Sequence, residues 1–378
     1  MHENTFDAIV IGAGMAGASV AWFLAPHARV LVLEREAWPG VHSTGRSAAL
    51  FSETYGSAQV RALTRATRPF LERPPSGFAS HPILTPRGTV VIGSAEQADQ
   101  VRAMHDANAP FVSDLHLLGT DALLGMVPVL RPEAACLGLY EPGSADIDVN
   151  ELHQGFLRGL RERGGQLLAN ADIRTIERAQ GHWEIDCGES RFRAPLLLDA
   201  AGAWADDVAR LAGVAPLGLQ PKRRSAFLFE PPEGMATASW PFVMAADESC
   251  YFKPDAGLLL GSPANADPVP PHDVQPEEFD IALGIHRIEE ITTMTIRRPT
   301  RSWAGLRSFV PDGNLVGGFA PDAEGFFWVA AQGGYGIQTS AAMAEACAQL
   351  VLGRALSAHL QDAGISAALL APRQGATP

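Results

Sequence analysis

Cysteine, tyrosine and positive charge are all scarce in this chain of 378 residues, and each scarcity excludes something. The four cysteines, Cys136, Cys187, Cys250 and Cys347, lie far apart with no C-x-x-C or zinc spacing. Neither a disulfide framework nor a zinc module is expected, and buried thiols in a reducing compartment are. The 29 basic residues face 42 acidic ones, for a net charge of −13, which opposes binding to the phosphates of nucleic acid. The 11 histidines show no ligand spacing, so no metal is expected. Repeats and low-complexity tracts are missing. The uncharged run from Ala8 to Ala25 meets the roughly 18-residue threshold for a membrane span. Three glycines at motif spacing and the acidic flank of Glu3 and Asp7 argue against a span, and His2 alone cannot supply the basic n-region of a signal peptide. The expected chain is soluble and cytoplasmic without a targeting segment, with the inner-membrane surface as an alternative location.

What is present is an ordinary globular composition, 47% hydrophobic and 19% charged, on a chain long enough for two domains. Its clearest motif opens the chain. The apolar run Ala8 to Ile11 leads into Gly12-Ala13-Gly14-Met15-Ala16-Gly17, then a helical pattern, then the apolar run Val30 to Leu33 ending at Glu34. In a βαβ dinucleotide site Gly12 allows the tight turn, Gly14 lets the backbone approach a pyrophosphate, and Gly17 lets helix pack on strand. The helix start at Met15-Ala16 presents N–H groups to phosphate, and Glu34 stands where the motif's acid meets ribose hydroxyls.

A second strand–glycine–helix device stands near the other end. Gly325 to Ala331 reads as a strand, Gln332-Gly333-Gly334-Tyr335-Gly336 as its turn, and a helix is expected to run on from Ile337 through Ala341, Ala344, Cys347 and Val351. Binding NAD at the first device would not require it. A long flavin dinucleotide would, and a helix N-terminus aimed at the ring would stabilise negative charge there. FAD is therefore expected rather than NAD. Cys347 should face the core of that helix, so the FAD should be non-covalent.

Between the two devices, Asp148 with Glu151 reads as a capping box opening a helix with the stripe Leu152, Phe156, Leu157 and Leu160, ended by Gly164-Gly165. A meander follows, from Ile173 to Glu177, Trp183 to Cys187 and Arg191 to Arg193. A buried strand, Leu196 to Leu198, then enters the small-residue turn Asp199 to Trp204. From Leu217 to Phe309 long strands prevail, with a proline-rich loop (Ala264 to Pro276). A helix is expected to start at Pro276-Glu277-Glu278 with Phe279, Ala282, Ile285, Ile288 and Ile291 on its apolar face. Two basic clusters, Lys222-Arg223-Arg224 and Arg297-Arg298 with Arg301 and Arg307, suit one small anionic ligand.

These strings resemble the D-amino-acid oxidase and glycine oxidase group of FAD enzymes, and within it the bacterial D-arginine dehydrogenases. The resemblance is carried by Val10 to Gly14, Leu33 to Glu36, His42 to Ala49, Leu219 to Phe227, Trp303 to Phe309 and Gln332 to Gln338. It implies an α/β fold: a glutathione-reductase-type Rossmann FAD domain built from residues 1–80, 148–215 and 312–378, and an antiparallel-sheet substrate domain from 81–147 and 216–311. It implies FAD contacts at Gly12, Gly14, Met15, Ala16, Gly17, Glu34, Arg35, Ser43, Thr44, Gly45, Arg46, Ser47, Ala48, Ala49, Ile173, Gly202, Trp204, Gly333, Gly334, Tyr335, Gly336 and Ile337. It also implies oxidative deamination of a D-amino acid, with electrons passing to a quinone or oxygen. Arg307 would hold the substrate carboxylate, the Gly334 carbonyl the ammonium, and Tyr55, Tyr251 and Arg224 would line the site. No side chain is assigned as acid or base.

On the residues alone Arg307 could instead pair with a structural acid, and His42 could be a loop contact or a proton shuttle. The chain departs from the arginine enzymes where Thr89 replaces a glutamate and Leu50 a histidine, with Ser52, Phe242 and Met244 completing the wall. Neutral or apolar side chains are therefore expected. Glu53, on an apparently mobile loop, is either a substitute anion for a cationic substrate or simply solvated. A sarcosine- or glycine-type amine oxidase, a non-catalytic flavoprotein and a nicotinamide reductase are the alternatives.

Overall fold

The computed structural model describes residues 4–373; His2, Glu3 and the outermost ends of the two terminal domain spans lie outside them. The uncharged opening run folds as strand Ala8–Ile11, a turn, and helix Met15–Leu24. The strand is flanked by Val30–Leu33 and Leu196–Asp199, both parallel to it. Gln166–Leu168 extends one edge and Phe326–Ala330 the other, again in parallel, while Val316–Phe319 closes the sheet antiparallel. Parallel strands of this kind are buried on both faces. Val10, Val32, Leu198 and Phe327 pack under helices Met15–Leu24 and Ser340–Val351, and Ile9, Leu31, Leu197 and Trp328 pack against the meander of Thr175–Ala179, His182–Asp186 and Arg191–Ala194. Among the described residues no helix is long and apolar enough to cross a membrane.

A second, mostly antiparallel sheet has nine strands among the described residues. Its longest pair, Gln220–Phe229 with Arg301–Phe309, runs in continuous register from Gln220↔Phe309 to Leu228↔Arg301. At its middle Phe242–Ala245 pairs in parallel with Thr89–Gly93, which pairs antiparallel with Leu137–Glu141. A small sheet of Leu50–Phe51, Ala145–Ile147 and Leu84–Pro86 joins the two larger ones.

Several expectations need correction. The cap at Asp148 is half a capping box: its Oδ1 accepts from Glu151 N at 2.8 Å, but Asp148 N donates to Ile83 O, so Glu151 turns away to accept from Ser80 N. The helix placed at Pro276 is Glu278–Ile291, one residue beyond its N-cap Glu277, and its buried face is Asp280, Ile281, Gly284 and Ile288. Phe279 is 72% exposed. The C-terminal helix begins at Ser340 rather than Ile337, so a turn, not the helix end, follows the second glycine cluster. Two of the four thiols, Cys136 and Cys187, are only half-buried.

Candidate active site

The first glycine turn is held by its neighbours. Gly12 N donates to Leu33 O at 2.8 Å, and Gly12 has φ +96°, a conformation L side chains avoid. Gly17 lies directly over it: a Cβ there would stand 1.8 Å from Gly12 O. Glu34, nearly buried, accepts from Ala13 N at 2.8 Å and from Glu36 N at 2.9 Å. The carboxylate is thus oriented before any ribose arrives. His153, which sequence reasoning missed, donates from Nε2 to Ala13 O at 2.8 Å from the helix Val149–Glu162. Burial holds its pKa below the usual value, so it serves as a neutral strut.

The turn Ser43–Arg46 joins this loop to the other sheet. Thr44 Oγ1 accepts from Met15 N at 3.0 Å, and Ser43 Oγ donates to Leu306 O at 2.7 Å. Arg46 lines the cleft, but its guanidinium is directed to Val274 O, Ala304 O and Asp273. His42 is a loop contact: it bonds Glu36 at 2.9 Å, which holds the Glu36 carboxyl below its usual pKa, and it packs on Trp204. Arg35 covers the same indole.

These residues line one cleft of about 380 Å³, continuous from Glu34, Arg35, Ile173, Gly202 and Trp204, past Gly12, Gly14, Met15 and Ala16, to Gly333, Gly334, Gly336 and Ile337. Ser43, Thr44, Ser47 and Ala48 form its side. Of the expected cofactor contacts, Gly17 and Gly45 lie behind this wall. Gly45 packs on Gly40 O, where a Cβ would approach to 2.8 Å. Ala49 and Tyr335 face a second chamber instead.

That chamber, about 540 Å³, opens from the far end of the cleft. It receives Tyr55, Arg224, Tyr251, Arg307, Gly334, Leu50, Ser52, Thr89, Phe242 and Met244, the full set singled out for substrate. Arg224, Tyr251, Arg307 and Gly334 line both spaces and so mark the junction. Strand register explains the pairing of the arginines: Arg224 lies opposite Gly305, and Arg307 two residues further along the same face. Arg307 Nη1 donates to Tyr55 Oη at 3.4 Å and Arg224 Nε to Asn265 O at 2.6 Å. Among the described residues neither has an acidic partner, so the structural-pair reading of Arg307 is set aside. Burial and the neighbouring Arg307 depress the pKa of Arg224. Burial also opposes the charge of Arg307, but the Tyr55 and Tyr251 hydroxyls outweigh it and hold the pKa above the usual value. Burial works to raise Tyr251, and the two cations overcome it and lower its pKa. Gly333 N donates to Ser308 O at 2.9 Å, fixing the second glycine turn on the Arg307 strand. A Cβ on Gly334 would stand 2.7 Å from Arg307 Nη1, so glycine is what lets the guanidinium lie there.

The two basic clusters do not assemble. Successive strand residues face opposite ways, so Arg223 turns from the chamber to Asp280 and Glu277, while Arg297, Arg298 and Arg301 are exposed. Glu53 does not enter the chamber: it pairs with Arg68 at 3.0 Å and is absent from the lining. Its loop is pinned by an acid the sequence reading missed. Glu141, 1% exposed, accepts from Ser52 Oγ and Thr54 Oγ1, each at 2.7 Å, and from Glu53 N at 2.8 Å. Burial raises its pKa against those three bonds. Also missed was helix Ala98–Asn108, whose Gln100, Ala103, Met104 and Ala107 form the far wall.

Two glycine turns at the ends of one cleft, with an oriented acid at one end and paired arginines at the other, fit a flavin dinucleotide. The sequence from residue 7 to 350 matches the family model of FAD dependent oxidoreductases known as DAO. The chain belongs to this family. Its structure overlays glycine oxidase from Geobacillus kaustophilus with a TM-score of 0.85 at 20% identity, covering 99% of this chain and 100% of that one. In sequence it is 22% identical to mitochondrial dimethylglycine dehydrogenase of Rattus norvegicus over 56% of this chain and 25% of the relative. It is 27% identical to N-methyl-L-tryptophan oxidase of Salmonella arizonae over 56% of this chain and 57% of the relative. The chain thus spans about a quarter to somewhat over half of these curated relatives. The family to which the chain belongs is one of FAD dependent oxidoreductases.

In such a protein Glu34→Ala should weaken FAD binding by about 1.5–3 kcal/mol, since a charged acceptor is lost from the ribose end and Ala13 N loses its partner. Calorimetric titration of apoprotein with FAD measures this, and unchanged affinity would remove Glu34 from the site.

Proposed function

We propose that the protein oxidises the Cα–N bond of a D-amino acid with a neutral side chain, giving an imino acid that hydrolyses to a 2-oxo acid and ammonia. Glu34, the turn Gly12 to Ala16 and the turn Gly333 to Gly336 would hold FAD non-covalently in the cleft, where it would supply the two-electron acceptor for a hydride from Cα. Residues 1–80, 148–215 and 312–378 would form its domain, and 81–147 and 216–311 the substrate domain.

The observation that carries this reading is the guanidinium of Arg307, without an acidic partner at the junction of cleft and chamber. It suits a two-pronged bond to a carboxylate, with Tyr55 beside it and Tyr251 held flat against Phe242. The Gly334 carbonyl would take the amino group. Anchoring carboxylate and nitrogen at these two points leaves one face of Cα toward the flavin and selects one enantiomer.

The side-chain end is apolar at Leu50, Val91, Leu139, Phe242 and Met244. The acid that does line the chamber, Glu248, is exposed, and Glu53 is paired elsewhere. Burying a guanidinium without a carboxylate costs several kcal/mol, whereas each buried methylene contributes about 0.8 kcal/mol. Anaerobic addition of amino acids, followed by flavin absorbance, should therefore give reduction by D-leucine and D-methionine faster than by D-arginine, and none by L-leucine. Faster reduction by sarcosine or glycine would replace this reading with that of a small-amine oxidase. A preference for D-arginine would place its guanidinium at Glu248.

A further inference from the structure

The carboxylate clamp leaves two buried polar atoms of the chamber wall without a partner, Asn108 Oδ1 on the far helix and Thr89 Oγ1 on the sheet. Thr89 lines the chamber, is 4% exposed, and its Oγ1 is buried with no hydrogen-bond partner. Native structures rarely leave such a group unpaired, so a bound molecule is the natural supplier of its partner.

Thr89 has company. Register sets Phe242, Thr89 and Glu141 side by side on three adjacent strands, so their side chains share one sheet face. Glu141 does not reach the chamber. Ser52 and Thr54, which do line it, stand between and give both hydroxyl protons to Glu141 Oε2. With those protons committed, the two oxygens, 3.2 Å apart, have only lone pairs left to offer, and the carboxylate behind strengthens them as acceptors. Of the neighbouring charges, Glu53 is held by Arg68, which also reaches Gly143 O and Glu72. The result is a small acceptor-rich spot inside an apolar wall.

We propose that Thr89, Ser52 and Thr54, backed by Glu141, form a side-chain subsite that takes a hydrogen bond from a neutral substrate side chain ending in O–H or N–H. The subsite rests on the amino-acid reading above and narrows it: hydroxyl- and carboxamide-bearing amino acids are favoured over apolar ones of the same shape. Sites built to bond a substrate donor discriminate strongly against the analogue lacking it, because their own polar groups are then left unpaired.

The test uses the full FAD-loaded chain and two shape-matched pairs, D-threonine with D-valine and D-asparagine with D-leucine. In at least one pair kcat/KM for the donor-bearing member should be about 10-fold higher or more. Thr89→Val should bring that ratio close to one, and Thr89→Ser should retain it. The ratio is the readout, so an overall loss of rate in a variant does not obscure it. The subsite is overturned if the apolar member does as well or better in both pairs, or if Thr89→Val leaves the ratio standing. If none of the four reduces the flavin while the protein is yellow, the amino-acid reading itself fails and the subsite with it.

Discussion

Replacing Arg307 with alanine is expected to lower kcat/KM by at least about 3 kcal/mol, roughly a hundredfold or more. The loss has two sources. The substrate carboxylate would lose its two-pronged partner at the junction of cleft and chamber, and Arg224 alone, bonded to Asn265 O, would have to hold it. The second source is position. Arg307 lies against Gly334 with no side chain between them, so carboxylate and amine anchors are set by one contact, and small misplacements at the reacting carbon are expensive. Arg307→Lys keeps the charge but loses the planar fork, and should fall between wild type and alanine. Anaerobic stopped-flow reduction at matched FAD occupancy gives the comparison. Equal rates for Arg307→Ala and wild type would remove the clamp from the mechanism.

The other large effect concerns Gly17. A Cβ there would come 1.8 Å from Gly12 O, which is backbone held on both sides by sheet bonds. Overpacking in a core ordinarily costs about 1–3 kcal/mol, and a contact this close on immovable backbone belongs at or above the top of that range. Gly17→Ala should give a sharply lowered Tm and colourless protein. Gly14→Ala is the contrast: its Cβ would meet Thr44 Oγ1 at 3.3 Å, a contact a side chain can relieve. Its Tm should stay near wild type while FAD affinity falls, because the backbone can no longer approach the pyrophosphate closely. If the two variants melt alike, the packing argument for Gly17 is wrong.

Legibility in the sequence followed the reach of the forces involved. The βαβ opening and the second glycine turn are local, so spacing alone located Gly12, Gly14, Glu34 and Gly333 to Gly336. The helix at Asp148 was legible for the same reason. Its cap failed where a distant strand intervened, since Ile83 O takes the Asp148 amide. The basic clusters looked continuous because adjacency along a strand is not adjacency in space: Arg223 and Arg224 face opposite sides. Phe279 matched the helical period but sits on the outward face. Glu141 was invisible because its donors lie far away in the chain at Ser52, Glu53 and Thr54. Resemblance named together the residues that line one chamber because it carries long-range information that periodicity lacks.

The order of strands in the parallel sheet has a consequence for how the protein is made. Leu196–Asp199 lies between Ala8–Ile11 and Phe326–Ala330, so its two neighbours leave the ribosome more than 300 residues apart. At about 5–20 residues per second the interval between them is on the order of tens of seconds. From their own emergence until its close, Leu197 and Leu198 have one flank open, and the cleft lacks the turn carrying Gly333 and Gly334. With the cofactor placed as proposed above, the flavin could be gripped along its whole length only after Phe326–Ala330 docks, so its capture would follow the folding of this sheet rather than seed it. Nascent chains arrested before that strand emerges should remain protease-sensitive and colourless even in abundant FAD.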